Sequence, residues 1–161
     1  MSIYQYNTFM RIINRKARYE YHISDTLEAG IVLTGQEVKS LRAGRADLTG
    51  SFARVQNGEV FLKNAFIPPY NASSIPDYNP RRDRKLLLHK NQINSLIGKT
   101  SKSQALVAIS IYEKSNLMKV ELGIGTSKKK YDHRKAIKEK DEQRKIEQDL
   151  RGEKDSDSRH D

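Results

Sequence analysis

Ser51-Phe52-Ala53-Arg54-Val55-Gln56-Asn57-Gly58-Glu59-Val60-Phe61-Leu62-Lys63-Asn64 reads as a β-hairpin. Asn57-Gly58 supplies the positive φ that both central positions of a type I′ turn require. Before the turn, Ala53 and Val55 alternate with Arg54 and Gln56; after it, Val60 and Leu62 alternate along the returning strand. A period of two with one apolar face belongs to half-buried antiparallel strands. An all-β or mainly β frame follows, and the flanking segments are read against it.

Downstream, Phe66-Ile67-Pro68-Pro69-Tyr70 ends the sheet segment, because proline does not continue a central ladder. Asn71–Pro80 is a polar loop from which Pro76 and Pro80 exclude helix. Arg81-Arg82-Asp83-Arg84-Lys85 follows, and four positive charges in five residues are expected to mark a surface. From His89, Ile93, Leu96 and Ile97 share a helical face, and Gly98 is expected to end that helix. A second hairpin is expected from Leu106–Tyr112 and Leu117–Ile124 around Glu113-Lys114-Ser115-Asn116. Met118, Val120, Leu122 and Ile124 face the core there, and Lys119 and Glu121 face out.

Upstream, Tyr21–Ser24 and Gly30–Thr34 look like two strands. Val38 and Leu41 lie three apart, as do Lys39 and Arg42, which predicts a short helix closed by Gly44. Asn14–Tyr21 mixes basic and aromatic residues, including Lys16 and Arg18. It reads either as a nucleic-acid contact or as a first strand with outward charges. Residues 1–13 show no clean period and are assigned to an N-terminal extension. The expected body, residues 14–125, is a small antiparallel OB-like β-barrel with two or three short flanking helices. Such barrels commonly bind single-stranded or irregular nucleic acid on an outer face.

The 161 residues carry 30 Lys+Arg against 20 Asp+Glu, a net charge of +10. That excess points to an anionic partner, nucleic acid before membrane surface. Without cysteine, disulfides, Cys-ligated zinc and a thiol nucleophile are excluded. Met1-Ser2-Ile3-Tyr4-Gln5-Tyr6 lacks the basic and apolar regions of a secretory leader, so a cytoplasmic protein is expected. Residues 126–161 hold 12 basic and 10 acidic side chains, so the body is itself strongly basic.

The tail opens on Ser127-Lys128-Lys129-Lys130-Tyr131-Asp132-His133-Arg134. Lysines supply point charges for phosphates, arginine a planar fork, and tyrosine a face on which a base can stack. The same run also reads as a solvated charge run at a domain edge. Beyond it, Ile137, Ile146 and Leu150 form only a thin apolar stripe. The tail is therefore expected to be disordered alone and helical on a partner up to about residue 150.

Catalysis finds little support. His22, His89, His133 and His160 are not spaced as helical metal ligands, and no Gly-x-Ser-x-Gly elbow occurs. Gly123-Ile124-Gly125-Thr126 lacks the third glycine of a dinucleotide fingerprint. An RNase using His133 beside Lys130 and Arg134 would rest on a tail without rigid support. No enzyme activity, metal or cofactor is expected.

In order along the chain, Asn14-Arg15-Lys16-Ala17, Tyr21 with Glu28-Ala29-Gly30-Ile31, and Gly35-Gln36-Glu37-Val38-Lys39-Ser40-Leu41-Arg42 stand out. Gly58-Glu59, Pro69-Tyr70, Arg84-Lys85-Leu86-Leu87-Leu88, Lys119-Val120-Glu121-Leu122-Gly123 and Lys128-Lys129-x-Tyr131-Asp132-x-Arg134 follow. With these residues the sequence resembles the SmpB family, the SsrA-binding proteins of bacterial trans-translation. The resemblance implies a non-catalytic RNA adaptor whose barrel binds the tRNA-like domain of transfer-messenger RNA (tmRNA). It implies delivery of that RNA to stalled ribosomes, where the tail enters the vacant messenger channel past the small-subunit decoding centre. Elongation factor Tu would be met only indirectly through the RNA, and a monomer without membrane attachment is expected. The alternative is a general single-stranded RNA-binding OB-fold protein.

By the resemblance, Tyr21, Glu28, Leu87, His89 and Lys119 match RNA-interface positions. Lys16, Arg18, Lys39, Arg42, Arg84 and Lys85 join them on charge. Lys128, Lys129, Lys130, Tyr131, Asp132, His133 and Arg134 form the ribosome-binding segment. Thr126, Ser127 and His133 depart from the family pattern, which makes this joint less positive than usual.

Overall fold

The computed structural model describes residues 10–71, 76–100 and 103–157. Among them are seven strands and four helices: β1 Arg11–Ile13, α1 Ala17–Glu20, β2 Tyr21–Ile31, α2 Gly35–Arg42, β3 Phe52–Gln56, β4 Glu59–Lys63, β5 Arg84–Leu87, α3 Lys90–Thr100, β6 Ala105–Lys114, β7 Leu117–Ser127 and α4 Lys130–Asp157. The chain divides into two compact units, one ending at Ser127 and one starting at Lys128.

The first unit is a closed antiparallel sheet. Pairing runs β6-β3-β4-β5-β2-β7, and β7 returns to β6. Closure removes the free edges that an open sheet would expose. β1 pairs with β6 at Tyr112, Ile111 and Ser110, and β3 pairs with β6 at Val107 and Leu106. The expected barrel and its three short helices are present, so the fold class stands.

The hairpin of the opening sequence forms in the expected register, with Gln56 opposite Glu59 and Phe52 opposite Lys63. Asn57 and Gly58 have φ of 50° and 77°, the two left-handed positions of the turn. The second hairpin is tighter than expected. Its strands run through to Lys114 and Leu117, leaving only Ser115 and Asn116, with φ of 52° and 62°. A two-residue turn of this twist matches the twist of the flanking strands and lets the ladder continue.

The segments read as two strands around Asp25–Ala29 form one strand, β2. β7 holds that polar stretch in the sheet, pairing along one edge of it from Tyr21↔Ser127 to Gly30↔Lys119. A bulge at Ser24 shifts the register, and the Ser24 hydroxyl donates to the Ile124 carbonyl. The body also starts earlier and ends later than the sequence suggested. Met10 is buried, Arg11–Ile13 form β1, and Thr126 and Ser127 still pair in β7. The extension's residues 1–9 lie outside those described.

Leu41, Leu48, Val60, Leu62, Ile67, Leu86, Leu96, Ile111, Val120 and Leu122 form the core with almost no exposure. The expected inward set Met118, Val120, Leu122 and Ile124 is buried as a group. α2 is fixed by a capping box, in which Glu37 N–H donates to Thr34 Oγ1 and Thr34 N–H to the Glu37 carboxylate. α3 runs through Gly98 to Thr100 and buries Leu96, while Ile97 is exposed. Ile97 is one residue round from Leu96, about 100° away, so the two do not share the buried face.

In the second unit the described residues from Lys130 form one helix, where a tail disordered in isolation was expected. Lys129 N–H donates to the Asp132 carboxylate at 3.2 Å, closing the helix start. Lys135–Glu139 and Lys138–Glu142 stand as i,i+4 ion pairs at 3.9 and 3.8 Å. Every described side chain from Arg134 to Arg151 is exposed. Local capping, helix-forming residues and charge pairing therefore account for this helix, with Ile137, Ile146 and Leu150 left open.

Candidate nucleic-acid interface

Four of the expected contacts meet in one place. Glu28, Leu87, His89 and Lys119 line a shallow cleft of about 530 Å³ together with Gly30 and Gln92. The strand register explains this. Lys119 on β7 lies opposite Gly30 on β2, and Gly30 lies opposite Leu87 on β5. Paired residues on antiparallel strands share a face. Val120, Ala29 and Leu86, one position on, point inward and are buried. Lys119, Gly30 and Leu87 therefore face out as a row.

Leu87 is 53% exposed, an unusual place for a large apolar side chain beside charged residues. A β-carbon at Gly30 would lie 3.1 Å from Leu87 Cβ, so glycine leaves the Leu87 flank open. His89 stands just before α3, its backbone N–H donating to Gln92 Oε1 at 2.9 Å. That bond holds the loop between β5 and α3 and keeps the His89 ring at the cleft rim.

Glu28 is held by neighbours that sequence reasoning missed. Its carboxylate accepts from the Tyr112 hydroxyl in a short hydrogen bond and from Lys114 Nζ at 3.3 Å. The Tyr112 bond, with Lys114 and Lys119, holds the Glu28 carboxyl below the usual glutamate range despite partial burial. Burial, and then the Glu28 carboxylate, raise the Tyr112 phenol. Glu28 is thus an acceptor with oxygen lone pairs to spare, suited to base amino groups or ribose 2′-OH groups. No local pattern singles Tyr112 out, because Glu113 interrupts the polar–apolar alternation that Ser110, Ile111 and Tyr112 begin.

Other expected contacts lie elsewhere. Tyr21 pairs with Ser127 at the opposite end of β2. It lies seven positions before Glu28, roughly 23 Å of strand. Lys16 and Arg18 are exposed on α1 and its cap, near Tyr21 rather than the Glu28 cleft. Lys85 lies on the outer face of β5 two residues from Leu87, and its ammonium pairs with Glu59. Lys39 is exposed on α2, and Arg42 on the same helix donates from Nε and Nη2 to Glu113 Oε1 at 3.2 and 2.8 Å.

Arg84 is a correction. It was assigned to the RNA surface, yet its side chain is wholly buried. Its guanidinium donates to the Glu37 carboxylate and to the Ala65, Arg82 and Pro80 carbonyls. Five fixed donors matched to that set satisfy a buried cation. The Arg81–Lys85 run therefore splits, because strand alternation turns Arg84 inward and Lys85 outward.

In the second unit Lys128, Lys129, Asp132 and Arg134 stand at the start of α4. The side chains of Lys130, Tyr131 and His133 lie outside those described. Among the described residues no group of three or more His, Cys, Asp or Glu could hold a metal, and no helix is long and apolar enough to cross a membrane.

The model of the SmpB protein family matches residues 11–152. An SsrA-binding protein of Acidothermus cellulolyticus is 53% identical over 134 residues, 83% of this chain and 84% of the relative. One of Shouchella clausii is 48% identical over 139 residues, 86% of this chain and 89% of the relative. A chain of a solved structure described as "tmRNA-SmpB: a journey to the center of the bacterial ribosome" is similar with a TM-score of 0.64 and 48% identity. That similarity covers 74% of this chain and 85% of the other.

Proposed function

The chain belongs to the SmpB protein family, and on that premise we propose that it is an RNA-binding adaptor of ribosome rescue. The barrel binds the tRNA-like domain of tmRNA and delivers it to stalled ribosomes. The segment from Lys128 onward probes the empty messenger channel near the decoding centre. The protein performs no chemical step, acts in the cytoplasm as a monomer, and meets elongation factor Tu only through the RNA.

The observation that carries this reading is the Glu28–Leu87–His89–Lys119 cleft. It joins a carboxylate acceptor, an exposed apolar surface, an imidazole and a cation within one strand row and one helix start. Cations and hydrogen-bond donors meet phosphate, the carboxylate meets 2′-OH or base amino groups, and Leu87 packs on an unstacked base or sugar. A non-specific single-strand binder would instead present aromatic platforms along a groove. Relatives named as SsrA-binding proteins and the ribosomal tmRNA complex support the same partner.

The test is binding of a tRNA-like domain against a matched unrelated hairpin at fixed, stated salt, since counterion release sets much of the affinity. Selective binding of the tRNA-like domain is expected. Affinity that grows with strand length, with no preference for the tRNA-like shape, would replace the adaptor by a general single-stranded RNA binder. Deleting residues 128–161 is expected to spare that binding and abolish tagging on stalled ribosomes.

A further inference from the structure

The outward row that contains Lys119, Gly30 and Leu87 does not stop at β7. Lys119 lies opposite Tyr112 on β6, and Tyr112 lies opposite Arg11 on β1. Arg11, Tyr112, Lys119, Gly30 and Leu87 thus form one line across five strands. Four strand spacings make it about 19 Å long. The neighbouring line, Ile12, Ile111, Val120 and Ala29, points inward, which fixes the first line to the outer face.

The Arg11 end is built. The guanidinium stacks 5.2 Å from the Tyr112 ring centroid. Its Nη2 donates to Glu121 Oε2 at 2.7 Å, and Ser110 Oγ donates to the same oxygen at 3.0 Å. Tyr112 in turn holds Glu28. Glu28 and Glu121 are direct cross-strand partners, an arrangement of like charges that costs stability. Arg11, Lys114, Tyr112 and Ser110 offset that repulsion. Among the described residues Glu121 alone accepts from the Arg11 guanidinium, which takes up few of its five donors, and the Arg11 side chain is 45% exposed.

Resting on the adaptor reading, we infer that the RNA interface extends two strands past Lys119. Arg11 is a phosphate-binding residue, and Tyr112 is a positioning residue that aims Glu28. Contact with the Tyr112 ring and the bond to Glu121 hold the guanidinium at the β1 end of the row. The Tyr112 hydroxyl occupies one Glu28 oxygen and directs the remaining lone pairs toward the cleft. A sugar-phosphate backbone laid along the row would meet Arg11 at one end and Leu87 at the other.

The experiment measures binding of a tRNA-like domain at several salt concentrations for the native chain and four variants. In Arg11→Gln the slope of log Kd against log salt is expected to fall by roughly 0.7–0.9, the share of one released counterion. Arg11→Lys retains the slope. The double variant Arg11→Gln, Glu121→Gln leaves the net charge of the face unchanged, and its slope stays low if Arg11 touches phosphate. Tyr112→Phe keeps the ring under Arg11 and removes only the hydroxyl. It is expected to weaken binding about fivefold, the worth of one hydrogen bond, at an unchanged slope. Circular dichroism melts identify variants that fold as the native chain does. A folded Arg11→Gln with native slope, a folded Tyr112→Phe with native affinity, or a native slope restored in the double variant would overturn the extension. Loss of selectivity in the native chain would instead overturn the adaptor reading itself.

Discussion

Arg84 Nε donates to Glu37 Oε1 at 2.9 Å with both side chains at zero exposure, joining β5 to α2 inside the protein. Arg82 binds the same carboxylate from a partly exposed position, and the Tyr78 hydroxyl donates to Glu37 Oε1 at 2.9 Å. This cluster ties the loop before β5 to the helix that carries Lys39 and Arg42. It lies beneath β5, the strand that carries Leu87 on its outer face.

Removing one partner of a buried pair leaves an uncompensated charge and costs about 3–5 kcal/mol. Arg84→Ala is therefore expected to lower unfolding free energy by that order in urea titrations. RNA affinity should fall only through the loss of folded protein. Native stability combined with lost RNA binding would return Arg84 to the surface role that the sequence suggested.

The cluster also sets an acid limb. Burial alone would raise the Glu37 carboxyl, but hydrogen bonds from Arg82 and the Thr34 amide, with Arg84 and Tyr78, outweigh it and hold it low. A depressed carboxyl binds fewer protons folded than unfolded. Its stabilisation is complete above the ordinary glutamate value of about 4.3 and drains as pH falls below that value through the folded one. The urea midpoint of the native chain is expected to drop below about pH 4.3 more steeply than that of Glu37→Gln. Parallel acid limbs in the two proteins would contradict this.

Leu87 separates binding from folding. Its side chain is half exposed on the outer face, so Leu87→Ala is expected to change stability by no more than about 0.5 kcal/mol. The same substitution removes the apolar contact of the cleft and is expected to weaken tRNA-like RNA binding severalfold. Isothermal binding and thermal melts on one preparation would check both halves.

Gly125 is fixed by a close approach. A β-carbon there would lie 2.1 Å from the His22 carbonyl oxygen, at the end of β2 beside the bulge. Backbone, not a flexible side chain, is in the way. Gly125→Ala is expected to destabilise by about 3 kcal/mol or more and to loosen the Tyr21 end of β2. Amide exchange at Tyr21 and His22 would show that loosening.

At the start of the second unit, His133 stands where the SmpB family pattern has lysine. His133→Lys adds a full charge to the segment proposed to enter the ribosome. Tagging of stalled ribosomes is expected to rise while binding to the isolated tRNA-like domain stays constant. Unchanged tagging would remove the importance given to this departure from the family pattern.

The sequence by itself determined the elements whose signals are local. Asn57-Gly58 required its turn, Met118 to Ile124 declared their buried face by alternation, and the spacing of Val38 and Leu41 marked α2. It also carried the family resemblance, and with it Glu28, Leu87, His89 and Lys119. Tertiary structure alone decided which of those charges meet. Arg84 and Lys85 are adjacent and equally basic, but strand alternation against β4 buries one at Glu37 and exposes the other. Tyr112 and Arg11 carried no distinctive motif. Tyr112 reaches Glu28, and Arg11 reaches Tyr112, because cross-strand register places together side chains more than 80 positions apart that no local pattern relates.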